Sequence, residues 1–88
     1  MKILVVDDHA VVREGVRRLL SAIPNAVVFE AATAHEALNL ARKEAPDVLV
    51  LDINLEGASG LELLRRLRIE SPNVRGLMFS MHASPRSR

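Results

Sequence analysis

Cysteine is absent from the 88 residues, which excludes disulfides and thiolate metal ligands and suits a reducing compartment. Tryptophan and tyrosine are missing and phenylalanine occurs twice, so no aromatic is interleaved with the basic residues to stack on bases. Apolar runs reach only four or five residues, far short of the ~20 that a membrane-spanning helix needs. Met1-Lys2-Ile3 leads straight into a strand-like segment and leaves no room for a signal peptide. The expected location is cytoplasmic, with no membrane contact.

The chain has the length of one domain at most and can bury only a limited core. Hydrophobic residues make up 49% and charged residues 26%, as in a globular domain. The net charge of +1 is unevenly spread: residues 1–59 hold six Lys/Arg and nine Asp/Glu, and residues 60–88 six Arg and two Glu. A basic end can mark nucleic-acid contact. The plainer reading of Arg65, Arg66 and Arg68 is the solvated face of a helix, and no DNA binding is expected from this segment.

Ile3-Leu4-Val5-Val6 and Val48-Leu49-Val50-Leu51 are continuous apolar runs rich in β-branched residues, the signature of strands covered on both faces. Val27-Val28-Phe29 and Leu77-Met78-Phe79 are weaker versions. Val12, Val16, Leu19, Leu20 and Ile23 fall at helical spacing before Pro24. Thr33-Ala34-His35-Glu36 is a capping box opening a helix through Ala37, Leu38 and Ala41, which Pro46 closes. Ser59-Gly60-Leu61-Glu62 is a second box, followed by Leu61, Leu64, Leu67 and Ile69 before Pro72-Asn73. The order β-α-β-α-β-α-β predicts a doubly wound parallel sheet with right-handed crossovers.

Ligands of open α/β sheets bind beyond the carboxyl ends of the strands. Asp7 and Asp8 follow the first strand, Asp52 the third and Ser80 the fourth, so one parallel sheet brings them to one edge. Crowded carboxylates call for a cation, and Mg²⁺ is a hard ion held by one or two carboxylates plus waters and phosphate oxygens. A carboxylate beside it can act as a nucleophile toward a phosphoryl group, whose charge the cation neutralises. Each residue has a plainer reading as well: Asp8 as a turn residue or helix cap, Ser80 as a strand-end serine, and His9 and His35 as helix-start residues. The three histidines lack metal-ligand spacing. Gly57 and Gly60 serve a turn, and no phosphate-binding glycine loop is present.

Val5-Val6-Asp7-Asp8-His9, Val50-Leu51-Asp52-Ile53-Asn54-Leu55, Gly57-Ala58-Ser59-Gly60 and Met78-Phe79-Ser80-Met81-His82 resemble the receiver domain of two-component response regulators. The pattern is most similar to the class with a C-terminal helix-turn-helix DNA-binding domain, and it covers nearly the whole chain. The resemblance implies a flavodoxin-like fold and a signalling domain rather than an enzyme. It implies Asp52 as phosphoacceptor, Mg²⁺ held by Asp8, Asp52 and the backbone carbonyl of Asn54, and Asp7 acting through water. It also implies Ser80 as switch hydroxyl, side chains at Asn54 and His82 that tune phosphate lifetime, and a sensor histidine kinase as partner. Glu56 replaces the family's usual proline and adds negative charge. No lysine follows Lys43, so the family's fifth-strand lysine has no counterpart. Residues 1–88 are therefore expected to be an incomplete receiver, truncated after the fourth strand and lacking the fourth helix, fifth strand and fifth helix. Such a chain is expected to form a homodimer through its exposed fourth strand or by exchange of elements. The alternatives are a self-associating fragment without signalling chemistry and, less favoured because Asn54 stands where a second carboxylate would be wanted, an aspartyl phosphotransferase or phosphatase.

Overall fold

Three short runs with β-branched residues and the segment Arg75–Phe79, whose apolar part is Leu77-Met78-Phe79, each supply a strand of five residues: β1 (Lys2–Val6), β2 (Val27–Ala31), β3 (Val48–Asp52) and β4 (Arg75–Phe79). The computed structural model describes residues 1–52 and 60–79. Three helices alternate with the strands: α1 (Ala10–Leu20), α2 (Ala34–Glu44) and α3 (Gly60–Glu70). The strands form one parallel sheet in the order β2-β1-β3-β4. This is the parallel sheet with helices on both faces expected from the alternation of elements, in the flavodoxin-like form that the resemblance implies.

The pleat divides the two faces. Leu4, Val6, Leu49 and Leu51 point to one side and pack with Ala37, Leu38 and Ala41 of α2 and Leu63 and Leu67 of α3. Ile3, Val5 and Val50 point to the other, where they meet half-buried Val16 and Leu20 of α1. Each fully buried Ile, Leu or Val contributes roughly 1.5–3 kcal/mol of burial, so the central strands β1 and β3 hold most of the core. Two helices cover the first face, and α1 is the described helix on the second.

The helix stripes differ in detail from the spacing. Leu19 is 76% exposed and Ile23 also lies outside the core. Helix α1 stops at Leu20, three residues before the periodicity does, because the ring of Pro24 is incompatible with a helical carbonyl at Leu20; Ser21 instead turns its hydroxyl onto Arg18 O (2.7 Å). In α3 the buried pair is Leu63 and Leu67, whereas Leu61 and Ile69 are exposed. Residues four apart share a helix face and residues two apart do not, so burying Leu63 turns Leu61 outward.

Helix α2 is capped as its sequence predicts, with one variation. Thr33 Oγ1 accepts from Glu36 N at 3.1 Å, but the Glu36 carboxylate reaches past Thr33 to accept from Ala32 N at 2.8 Å. At its C-terminus Ala45 adopts a left-handed conformation with φ 48°, which returns its N–H to Ala41 O and leads into buried Pro46. The second capping box begins at Ser59, outside the described residues. Arg42 of α2 closes a two-pronged ion pair on Glu70 of α3 (2.8 and 2.9 Å), tying the two helices together on the solvent side.

Candidate metal centre

Asp7 and Asp8 sit immediately past β1, and Asp52 is the last residue of β3. The two strands are neighbours, with Val6 opposite Leu51, so the next positions along each are Asp7 and Asp52. Both carboxylates are completely buried, while Asp8 keeps a partly exposed side chain. One ligand atom from each of Asp7, Asp8, His9 and Asp52 can be chosen so that all four lie within 4.8 Å of one another.

Local geometry fixes Asp7 firmly. Its N–H donates to Ala31 O on β2 (3.1 Å). Its Oδ1 accepts from the backbone N–H of His9 (2.8 Å), an Asx-type turn that starts α1. Its Oδ2 is buried and has no hydrogen-bond partner among the described residues. A buried carboxylate oxygen without a donor, next to a second buried carboxylate, carries a large desolvation penalty unless a cation joins it.

His9 completes the cluster in a way its sequence position did not suggest. It occupies the N-cap of α1 without a side-chain capping bond. Its ring turns back instead, placing Nδ1 3.1 Å from Asp7 Oδ1 and 2.8 Å from Asp8 Oδ1. The hydrogen bond to Asp7, supported by the charges of Asp8, Asp7 and Asp52, raises the His9 pKa above the ordinary histidine value. The neighbouring carboxylates thus favour the protonated form of this ring. A histidine that follows two aspartates at a strand end is the signal that marks it; spacing among the three histidines does not reveal it. His35 lies on the exposed side of α2, against Asn39 (3.3 Å), away from the site.

The donor set fits Mg²⁺. It offers hard carboxylate oxygens, two of them on wholly buried residues, at the open edge of a sheet where waters and phosphate oxygens can fill the remaining positions. Of the other residues expected at the site, Asn54, Glu56, Ser80 and His82 lie outside the described residues.

A doubly wound parallel sheet with an acidic cluster at the carboxyl ends of its central strands is the arrangement of a receiver-type signalling domain. The comparisons agree. The family model for the response regulator receiver domain matches residues 3–88, and the chain belongs to that family, whose members are signalling domains rather than enzymes. It is 41% identical over 80 residues to the nitrate/nitrite response regulator protein NarL of Escherichia coli (strain K12), covering 90% of this chain and 37% of that protein. It is 43% identical over 83 residues to the transcriptional activator protein ExaE of Pseudomonas putida, covering 93% and 39%. The chain therefore spans about two fifths of the length of these relatives. Among solved structures, a LuxR-family two-component response regulator from Aurantimonas sp. SI85-9A1 superposes with a TM-score of 0.85 at 45% identity, over 92% of this chain and 59% of that one. A response regulator from Burkholderia pseudomallei, solved with a phosphorylated aspartic acid, a calcium ion and citrate, gives 0.83 at 32% identity, over 94% and 48%. No described helix is long and apolar enough to cross a membrane.

Proposed function

We propose that this receiver domain accepts a phosphoryl group on Asp52 in a Mg²⁺-dependent reaction, as part of a cytoplasmic response regulator that controls transcription. The observation that carries the reading is the convergence of Asp7, Asp8 and Asp52 at one sheet edge, with Asp7 and Asp52 fully buried. Asp8, Asp52 and the Asn54 carbonyl would hold the ion, with Asp7 acting through water. When bound, Mg²⁺ supplies the positive charge that a transferring phosphoryl group requires.

The chain's own residues do the rest. A carboxylate oxygen of Asp52 attacks phosphorus, forming a P–O bond as the bond to the donor's leaving group breaks and its electron pair departs with that group. Asp7 and Asp8 would keep the ion beside the acceptor. The Ser80 hydroxyl would take the switch role, donating to a phosphoryl oxygen, and the Asn54 and His82 side chains would tune the lifetime of the acyl phosphate. The donor is a phosphohistidine of a sensor histidine kinase. The Burkholderia relative, solved with a phosphorylated aspartic acid and a calcium ion, supports the same kind of chemistry. The arginines of α3 include one paired within its own helix, Arg65 with Glu62 at 3.9 Å, in keeping with a solvated face and no DNA contact by residues 1–88. Pairing of β4 with a second copy rests on its place at the border of the described sheet; sedimentation across a dilution series tests that dimer.

The direct experiment is treatment with acetyl phosphate and Mg²⁺ followed by intact-mass and peptide mass spectrometry. One phosphoryl adduct per chain, located on Asp52 and absent from Asp52→Asn, is expected. Labelling elsewhere, or labelling that is indifferent to chelation of Mg²⁺, would overturn the assignment. Repeated turnover of acetyl phosphate without a stable adduct would point instead to a phosphatase.

A further inference from the structure

The peptide that joins Asp7 to Asp8 sets the directions in which both carboxylates leave the backbone. Its carbonyl, Asp7 O, accepts a hydrogen bond from Arg13 Nη1 at 2.8 Å. Arg13 lies on α1, six residues further along, with its own N–H bonded to His9 O (3.0 Å). Its side chain folds back over the β1–α1 turn and is only 19% exposed. The opposite edge of the guanidinium is braced: Nε bonds Glu30 Oε1 on β2 at 3.3 Å. Glu30 in turn receives Arg17 Nε on its second oxygen at 3.5 Å. Glu30 stands beside Val5 in the β1–β2 register, one residue before Ala31, whose carbonyl takes the Asp7 N–H. The end of β2 therefore grips Asp7 twice, directly through Ala31 and indirectly through Glu30 and Arg13.

We infer that Arg13, oriented by Glu30, is a positioning residue for the candidate metal centre: it locks the Asp7–Asp8 peptide so that both carboxylates face the cation. The inference rests on the Mg²⁺ reading proposed above. A planar guanidinium suits the task because its donors diverge at fixed angles, one to a carbonyl and one to a carboxylate, where a lysine ammonium can serve one of them well but not both in fixed geometry. Groups that orient ligating carboxylates typically alter metal affinity about 10–100-fold when removed.

Charge and geometry make opposite predictions, which renders the role testable. Arg13 places a positive charge near three carboxylates. If charge were its whole effect, removing it would tighten binding of a divalent cation. If it positions the peptide, removing it weakens binding.

The test is a Mg²⁺ titration of the 88-residue chain, following backbone amide shifts of residues 7–9, for the parent, Arg13→Gln and Arg13→Lys. The expected result is affinity weakened about tenfold in Arg13→Gln and by a smaller factor in Arg13→Lys, which keeps the charge and loses the fork. Unchanged or tighter binding in Arg13→Gln would overturn the inference. Should that variant fail to fold, Arg13→Lys decides the matter alone, because its charge is conserved and affinity equal to the parent's leaves geometry no role. A second readout needs no metal: the Asp8 amide proton, which belongs to the locked peptide, should exchange faster in Arg13→Gln while amides of β3 keep their protection. If the parent chain shows no response to Mg²⁺, the metal reading fails, and Asp8 exchange then decides by itself whether Arg13 holds the peptide.

Discussion

Gly76 of β4 and Leu64 of α3 share a space that holds only one of their side chains. A Cβ on Gly76 would stand 2.7 Å from Leu64 Cδ1 and 3.4 Å from Cδ2, so α3 lies close over β4 because residue 76 ends at its hydrogen. Alanine there can be admitted by turning the end of Leu64, at a rotamer cost of about 0.5–1.5 kcal/mol, against about 0.4–1 kcal/mol gained from a stiffer unfolded chain. Urea unfolding of Gly76→Ala should stay within about 1 kcal/mol of the parent. Gly76→Val should lose roughly 1–3 kcal/mol by overpacking. In a Leu64→Ala background that loss should shrink; an equal loss would show that Leu64 is not the obstacle.

Ala45 carries a left-handed backbone at the end of α2, φ 48°. That conformation costs an L-residue about 1–2 kcal/mol, more than the roughly 0.5–1 kcal/mol entropic disadvantage of glycine. Ala45→Gly should raise stability by about 0.5–1 kcal/mol. A drop in the denaturation midpoint would show that relief of the left-handed turn does not outweigh the entropy of glycine. At the other end of α2, Thr33→Ala removes the acceptor for Glu36 N and should cost about 1 kcal/mol.

The Arg42–Glu70 bridge predicts a pH signature. The hydrogen bond from Arg42 holds the Glu70 carboxyl below its ordinary value of 4.5. A carboxylate whose folded pKa is depressed stabilises the fold above its unfolded pKa and loses that contribution as pH falls through the folded value. The difference in stability between the parent and Glu70→Gln should therefore be present at neutral pH and vanish on acidification below 4.5. Both side chains are solvent-facing, so the effect should be small and should weaken with salt. A difference that persists at pH 2–3, where a carboxyl is protonated, would mean that the two helices are not held by this charge pair.

Two fully buried carboxylates make the apo site a source of instability. Asp7→Asn removes one charge and sets an amide donor at the place of Asp7 Oδ2, which has no partner among the described residues. Without divalent cation, its melting temperature should rise, the gain being on the order of 1 kcal/mol, the low end of the cost of a buried unsatisfied polar group. With Mg²⁺ at a hundred times its dissociation constant the parent should gain about 2.7 kcal/mol, and Asp7→Asn distinctly less. Equal Mg²⁺ stabilisation of both proteins would remove Asp7 from the site.

Much of this was legible from residue order. Continuous β-branched runs separated by helical stripes dictate a parallel sheet, and strand ends dictate which edge Asp7, Asp8 and Asp52 share. Helix faces were less legible. Leu19, Leu61 and Ile69 have the hydrophobicity of core residues, but a single residue's offset in helix rotation sends them to solvent, and the stripes of α1 and α3 are broad enough to permit either setting. The contacts of His9 and Arg13 are not legible for a different reason. Their roles depend on side chains that fold backwards onto the turn preceding α1, and Glu30, which braces Arg13, comes from a strand 17 residues away. Periodicity carries no trace of such contacts.

The pairing of Val6 with Leu51 has one more consequence. Asp7 and Asp52 are 45 positions apart in the chain, and nothing local brings them together. Sliding β3 by one residue against β1 would send Asp52 to the opposite face of the sheet, leaving the acidic cluster without one of its members while most backbone hydrogen bonds could re-form. The chemistry therefore proofreads the fold: a chain whose central strands have mated one step out of phase can still resemble a sheet, but it cannot assemble the cluster.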